Sequence, residues 1–145
     1  MPVYRTSTEG ETIALGERLA AELPAKRTVL LIGNLGAGKT TLAKGIVKGL
    51  RAAAPEEVSS PTFTLIHEYG AGEYGSGRVY HIDLYRLEEL REVETLGLDE
   101  IFDRDAVVLI EWGERFPQIL PPERTEIRLR ALDDDEREID VRQLP

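Results

Sequence analysis

The sequence predicts an α/β fold: a mixed sheet with a parallel core and antiparallel hairpins, covered by helices on both faces. Residues 28–32 form an apolar, β-branched run, followed by a glycine-rich turn and then by apolar residues at helical spacing. Residues 106–110 (AVVLI) form a continuous apolar run that is typical of a strand buried in a parallel sheet. Residues 126–131 and 137–141 alternate apolar and polar side chains, which indicates a closing antiparallel hairpin.

The remaining elements are predicted from local signals. Residues 8–11 (TEGE) match a capping box, and Pro24 ends the amphipathic helix that follows it. The glycine-rich link at 70–77 predicts a hairpin between two strand-like runs. The elements predicted in this way are a strand at 3–5, a helix at 12–23, a helix ending near 50, strands at 63–69 and 78–83, helices at 87–96 and 98–102, and a short helical stretch after Trp112.

Composition limits the possible classes of protein. A chain of 145 residues with a formal net charge of −9 is long enough for one core, and it is too acidic to hold nucleic acid by charge alone. The absence of cysteine excludes disulfides, thiolate catalysis and cysteine-ligated zinc. The first residues lack the apolar core of a signal peptide, and no apolar run approaches membrane-spanning length. We therefore expect a cytoplasmic protein with no membrane partner.

Residues 33–40 (GNLGAGKT) match the P-loop pattern G-x-x-x-x-G-K-[ST] between a predicted strand and a predicted helix. The glycines let successive N–H groups converge on a phosphate, and the helix N-terminus adds further donors. Lys39 would reach the outer phosphates, and the Thr40 hydroxyl would bind Mg2+. We therefore predict a single P-loop NTPase domain over residues 1–145. Its phosphate cradle would consist of Gly33, Asn34, Leu35, Gly36, Ala37, Gly38, Lys39 and Thr40.

ATP is the better prediction for the nucleotide. Guanine-specific GTPases read the base with an N-K-x-D motif, whereas the only asparagine in this chain is Asn34, inside the P-loop. A small-molecule kinase stays open as an alternative, although no stretch combines several arginines with the length of a lid.

Two carboxylates are expected beside the phosphates. Asp83 and Glu111 each end an apolar strand, and ligands of such sheets bind at the carboxyl ends of the strands. One of them would hold Mg2+, directly or through water, and the other would orient the attacking water. The sequence does not decide between these two roles.

Three further features have two interpretations each. The loop Ser60-Pro61-Thr62 is either a switch loop that senses the γ-phosphate or metal, or a plain hydroxyl-containing turn. His81 alternates with apolar residues in its strand, which favours a structural role over a catalytic one. Trp112, the only tryptophan, is either a core residue or an exposed stacking or docking residue.

Taken in order, these motifs resemble the bacterial TsaE (YjeE) family. The resemblance covers GNLGAGKTT at 33–41, SPTFTL at 60–65, HIDLYRL at 81–87, Glu111-Trp112 and TIALGERL at 12–19. It implies a small Mg-dependent ATPase that is required for threonylcarbamoyl-adenosine formation in tRNA. Such a protein acts on the TsaB–TsaD pair and meets tRNA only through that complex.

The resemblance also implies roles for individual residues. Lys39, Thr40 and Thr41 would bind phosphate and Mg2+. Asp83 matches the family's Walker-B-like aspartate, Glu111 its metal-associated glutamate and Trp112 its functional tryptophan. The stretch 60–65 matches a switch-like loop, and the nucleotide would lie near Glu9 and Thr12. Catalysis would thus involve Asp83, Glu111 and Lys39.

Two other functions stay open. The chain could be a non-enzymatic switch that binds ATP to gate a partner, with hydrolysis incidental, or a kinase that transfers the γ-phosphate to a metabolite.

Overall fold

The computed structural model describes residues 2–61, 64–70 and 78–145. Predictions that concern Thr62, Phe63 and the link at 71–77 lie outside these residues. No helix in the described part of the chain is long and apolar enough to cross a membrane.

The helices and strands follow the predicted order. The strands are β1 Val3–Thr6, β2 Arg27–Ile32, β3 Ile66–Tyr69, β4 Val79–Asp83, β5 Val107–Glu111, β6 Thr125–Ala131 and β7 Arg137–Gln143. The α-helices are α1 Glu9–Ala20, α2 Lys39–Gly49, α3 Leu90–Glu94 and α4 Leu98–Phe102. Short 3-10 turns span Pro55–Glu57, Gly113–Arg115 and Pro117–Ile119.

All seven strands belong to one sheet in the order β1-β7-β6-β2-β5-β4-β3. Strands β6, β2, β5 and β4 are parallel neighbours, which makes the centre of the sheet parallel. The pairs β1–β7, β6–β7 and β3–β4 are antiparallel. The predicted mixed sheet is therefore confirmed, including the closing hairpin.

Helices cover both faces of the sheet, as predicted. Leu15 of α1 and Leu42 and Ile46 of α2 pack with β2, β5, β6 and β7 in one buried cluster. Val93 of α3 and Leu98 of α4 pack with the opposite faces of β2, β4 and β5 in a second cluster. All five residues of β5 are buried because helices cover it on both sides.

Several predicted bounds are wrong. The helix predicted at 12–23 ends at Ala20, before Pro24, and the described part of the strand predicted at 63–69 is a strand only from Ile66. The starts of two helices differ because side chains bond to backbone N–H groups there. Helix α1 begins at Glu9 because the Thr8 hydroxyl accepts from the Glu11 N–H at 3.0 Å, while the Glu11 side chain accepts from Ser7 N at 2.7 Å. The predicted helix at 87–96 is wrong in length. The Glu92 carboxylate accepts from the N–H groups of Glu88 and Glu89, so α3 begins only at Leu90.

The strand register aligns the two carboxylates that the sequence singles out. Asp83 pairs with Glu111 across β4 and β5, and Glu111 pairs with Leu31 across β5 and β2. The glycine-rich loop follows β2 directly. Because parallel strands end at the same edge of a sheet, the loop and both carboxylates meet there.

Helices α1 and α2 approach each other closely at two glycines. A Cβ atom on Gly45 would lie 2.0 Å from the Ile13 carbonyl oxygen and 3.0 Å from Gly16 Cα. Both neighbours are backbone atoms, so no side chain can move to make room. The contact matters for the site because α2 begins in the glycine-rich loop.

We expect Gly45→Ala to separate the two helices and to lower the free energy of unfolding by about 1–3 kcal/mol, the usual cost of overpacking. Urea denaturation followed by circular dichroism measures this. Gly10→Ala is the matched control, since its Cβ would meet only the Thr8 hydroxyl oxygen at 3.9 Å. Alanine favours the helix at that position. Equal stability changes in the two variants would contradict the close contact.

Candidate functional site

A cavity of about 470 Å3 opens at the carboxyl ends of the central strands. The structure brings most of the sequence-predicted residues together in its wall. Those that line it are Glu9, Thr12, Leu35, Gly36, Gly38, Lys39, Thr40, Thr41, Ser60, Asp83, Glu111 and Trp112.

The other predicted residues shape the loops beside the cavity. The Asn34 carbonyl accepts from Ala37 N at 3.0 Å, which tightens the loop that follows β2. A Cβ on Gly33 would lie 2.8 Å from the Leu129 carbonyl oxygen, so only glycine fits against β6 there. The Pro61 carbonyl accepts from Leu65 N at 2.6 Å, just before β3. Thr62 lies outside the described residues.

The glycine-rich loop has the backbone that an anion cradle requires. Gly36 and Gly38 have φ angles of 79° and 101°, in the left-handed region that side chains disfavour. Helix α2 begins after Gly38 without a capping side chain. The first N–H groups of a helix have no acceptor within it, so those of Lys39, Thr40 and Thr41 are available to an anion.

Lys39 is held inside the cavity by two contacts. Its Nζ donates to the Gly33 carbonyl at 2.7 Å and lies 3.5 Å from the centroid of the Trp112 ring. Burial lowers the pKa of Lys39 below the ordinary lysine value, while the charges of nearby carboxylates, Glu111 and Glu114 foremost, oppose the shift. The charge on this ammonium is thus costly to bury and would gain from an anionic ligand.

Trp112 adopts a backbone conformation that is rare for its residue type. Its φ is 67°, in the left-handed region, and its ring packs against Tyr85 with centroids 5.1 Å apart. Such conformations persist where the surroundings impose them, and they concentrate at functional sites. The bend at the end of β5 is what turns the indole over Lys39.

Glu111 is tied to the glycine-rich loop and to β4. Its Oε2 accepts from the Thr40 hydroxyl at 3.2 Å and from His81 Nε2 at 2.6 Å. Both His81 and Glu111 are buried. Thr40, which follows β2, can reach Glu111 because β5 is the strand next to β2 in the sheet.

Asp83 is tied to a different part of the site. Its Oδ2 accepts from the Ser60 hydroxyl at 3.1 Å, and its Oδ1 accepts from Tyr85 N at 2.8 Å. The loop at 60–61 is thus connected to the end of β4. The two carboxylates have distinct partners, which the sequence could not reveal.

The donor set fits Mg2+ only together with a ligand that supplies further oxygens. Thr40, Asp83 and Glu111 offer hydroxyl and carboxylate oxygens, the type that Mg2+ prefers. Within the described residues, no cluster of three histidine, aspartate or glutamate side chains is arranged to hold a metal. Mg2+ in such sites keeps several waters and is completed by substrate phosphates.

The cavity wall also contains three residues that were not among the predicted site residues, Tyr85, Asp135 and Arg137. Arg137 Nη2 donates to the Gly36 carbonyl at 3.2 Å, so the closing hairpin reaches the glycine-rich loop. The sequence of the acidic turn at 133–135 does not predict this contact between the hairpin and the glycine-rich loop. The contact depends on the pairing of β6 with β2, which brings the hairpin beside the loop. Thr12, on α1, is fixed here by a 2.7 Å hydrogen bond to Thr6.

Fold and site together define an α/β protein whose glycine-rich loop, lysine and two neighbouring carboxylates line one cavity at the carboxyl ends of the parallel central strands. The chain belongs to the TsaE family. The sequence model of that family, described as threonylcarbamoyl adenosine biosynthesis protein TsaE, matches residues 6–139.

Named relatives agree with this assignment. The tRNA threonylcarbamoyladenosine biosynthesis protein TsaE of Bacillus subtilis is 43% identical over 136 residues, which are 94% of this chain and 82% of that protein. The protein of the same name from Rickettsia conorii is 37% identical over 135 residues, covering 93% and 74% of the two chains. The crystal structure of Bacillus subtilis YdiB has a TM-score of 0.77 at 36% identity, covering 99% of this chain and 86% of that one.

We expect Lys39→Met to raise the fluorescence of Trp112, the only tryptophan, because the substitution removes the ammonium from the indole face. A protonated amine at this short distance quenches the fluorescence of the indole. Emission spectra of the ligand-free protein measure the effect. Lys48→Met is the control, since Lys48 lies on the outside of α2, 3.4 Å from Glu17. Identical changes in both variants would contradict the Lys39–Trp112 contact.

Proposed function

We propose that this chain is the ATP-binding and ATP-hydrolysing subunit required for threonylcarbamoyl-adenosine modification of tRNA, acting on the TsaB–TsaD complex in the cytoplasm. The whole chain, residues 1–145, would be a single P-loop NTPase domain. One observation supports this above the others: Lys39, Thr40, Asp83 and Glu111 line the same cavity as the glycine-rich loop. Family membership supplies the link to tRNA modification.

The loop would hold the polyphosphate through backbone donors and Lys39. The N–H groups at the uncapped start of α2 would supply an array of donors, which suits a polyanion. Lys39 would leave the Gly33 carbonyl and the Trp112 ring to reach the outer phosphates. Thr41 follows the motif and offers its N–H group in the first turn of α2.

The two carboxylates, Glu111 and Asp83, would have different roles in hydrolysis. Mg2+ bound with the nucleotide would neutralise charge that develops on the phosphates. Thr40 would offer its hydroxyl oxygen to the ion, and Glu111, already bonded to Thr40, would be the carboxylate nearer to it. Asp83 would orient the attacking water, and its bond to Ser60 would connect it to the switch-like loop.

The nucleoside would lie beside Glu9 and Thr12 of α1 and Arg137 of the closing hairpin, which also line the cavity. The net charge of −9 agrees with a protein that meets tRNA through its partners. Trp112 and the loop at 60–62 would report the state of the site to TsaD and TsaB.

The test is ATP hydrolysis by the purified protein, alone and with TsaB, TsaD and tRNA, together with mass spectrometry of the modified nucleoside. We expect the partners to stimulate phosphate release, and Lys39→Ala to reduce it by about 100-fold or more. Lys44→Ala, five residues further along α2, is the matched control and should behave as the wild type.

Two outcomes would contradict the proposal. If Asp83→Asn abolishes hydrolysis and tRNA modification continues, the chain is a nucleotide switch and hydrolysis is incidental. If phosphate appears on a metabolite and not in solution, the chain is a small-molecule kinase.

ATP affinity should fall as the pH rises, because of Lys39. Its pKa in the free protein is lowered by burial, and a bound phosphate would raise it again by charge attraction. Binding therefore takes up a proton once the pH exceeds the free-state pKa. Above that pH we expect affinity to fall about tenfold per pH unit, up to the pKa of the complex. Calorimetric titrations with ATP in EDTA at increasing pH would measure it.

Lys39→Arg is the control for this pH dependence, because a guanidinium stays charged over the same range. Its affinity, whatever the starting value, should be nearly independent of pH. The same slope in both proteins would show that another group causes the dependence.

A further inference from the structure

We infer that His81 is a positioning residue that holds Glu111 for the Mg2+-dependent step, an inference that rests on the function proposed above. His81 is completely buried in β4, and its Nε2 lies 2.6 Å from Glu111 Oε2. The sequence alone favours a structural histidine at this position. The geometry gives the ring a defined hydrogen bond to a side chain of the cavity wall.

The sheet itself brings the two side chains together. Side chains alternate along a strand, so His81 and Asp83 point to the same face of β4. Asp83 pairs with Glu111 of β5, which makes His81 the diagonal neighbour of Glu111. Diagonal neighbours on adjacent strands are within reach of long and aromatic side chains. No loop movement is needed to make or keep this contact.

The hydrogen bond leaves one carboxylate oxygen for the cavity. A carboxylate only accepts, so Nε2–H of His81 is the donor. The Thr40 hydroxyl donates to the same oxygen, Oε2, at 3.2 Å. No hydrogen bond to Oε1 comes from the described residues. The two donors therefore fix the orientation of the carboxylate and direct its other oxygen at the ligand side.

The two donors to Glu111, Thr40 and His81, belong to different parts of the structure. Thr40 is part of the glycine-rich loop and the first turn of α2, and its hydroxyl is the group expected to meet the ion. His81 belongs to the parallel sheet and has no contact with the cavity, so its hold on Glu111 is independent of the ligand. Partners of this second kind orient metal-associated ligands, and their loss typically costs about 10- to 100-fold in affinity or rate.

The alternative is that His81 only fills space in the sheet. Its two roles are separable, because His81→Phe keeps the ring and removes the donor, whereas His81→Gln keeps an N–H donor at a similar reach. The other histidine, His67, gives a matched control. It pairs with His81 across β3 and β4 but bonds to the Tyr69 hydroxyl at 3.2 Å instead.

The first experiment measures ADP binding by calorimetry at increasing Mg2+, and partner-stimulated ATP hydrolysis, for each variant. We expect His81→Phe to raise the Mg2+ half-saturation or to lower kcat by about 10- to 100-fold, with metal-free ADP affinity unchanged. His81→Gln should recover most of the loss, and His67→Gln should match the wild type. Unchanged values in His81→Phe, or a loss that Gln does not recover, would overturn the inference.

A second measurement does not depend on activity. Proton–nitrogen NMR of the imidazoles resolves only two rings in this chain. We expect a slowly exchanging Nε2–H that disappears in His81→Gln, moves in Glu111→Gln and is unaffected by His67→Gln. Absence of that signal, or no response to Glu111→Gln, would overturn the contact.

The two sets of results separate the inference from the proposed function. If the wild type does not hydrolyse ATP with its partners, the proposed function fails, and Mg2+-dependent ADP binding and NMR still decide the role of His81. If the wild type hydrolyses ATP and His81→Phe is indistinguishable from it, only the role of His81 fails.

Discussion

The parallel pairing of β2 with β5 is the constraint on which the candidate site depends. It sets Leu31 opposite Glu111, so the glycine-rich loop that leaves β2 begins beside the last residue of β5. The contact between Thr40 and Glu111 follows from this register. A shift of one residue would turn the Glu111 side chain to the other face, because side chains alternate along a strand. Burial of β5 on both faces makes such a shift very unfavourable.

The rest of the fold supports this register from both sides. Helix α2 can start at the loop and still pack on α1 because glycines remove the side chains where the two helices meet. On the opposite face, α3 and α4 cover β4 and β5 with apolar side chains. The polar groups of the site are therefore inserted into a well-packed sheet, and each buried one needs a partner. Glu111 has Thr40 and His81, and Asp83 has Ser60 and Tyr85 N.

The sequence predicted the elements whose causes are local. Period-2 alternation, the capping residues and the glycine-rich turn depend on neighbours along the chain. The sequence accordingly predicts the type and order of the strands, of α1 and of the closing hairpin, but not every bound of these elements. The length of α3 was not, because a single side chain, Glu92, decides where that helix begins. The rule that ligands bind at strand ends located Asp83 and Glu111, and both line the cavity.

The contacts that the sequence could not predict depend on strand order. Arg137, in β7, reaches Gly36 because β7 pairs with β6 and β6 pairs with β2. His81 meets Glu111 because β4 lies beside β5. Neither neighbour relation can be read from spacing along the chain. The chemical roles of Asp83, Glu111 and Lys39 stay predictions, since geometry gives their partners and not their reaction.

The position of Lys39 means that an anionic ligand must displace contacts that the ammonium already makes within the protein. In the free protein its ammonium is already bonded to the Gly33 carbonyl and covered by the Trp112 ring. A ligand must exchange these contacts for its own, so only the difference between the two sets contributes to affinity. An anion that leaves the cavity would let the ammonium return to the same carbonyl and ring. Its departure would then expose no unpaired buried charge and would require no rearrangement of the sheet.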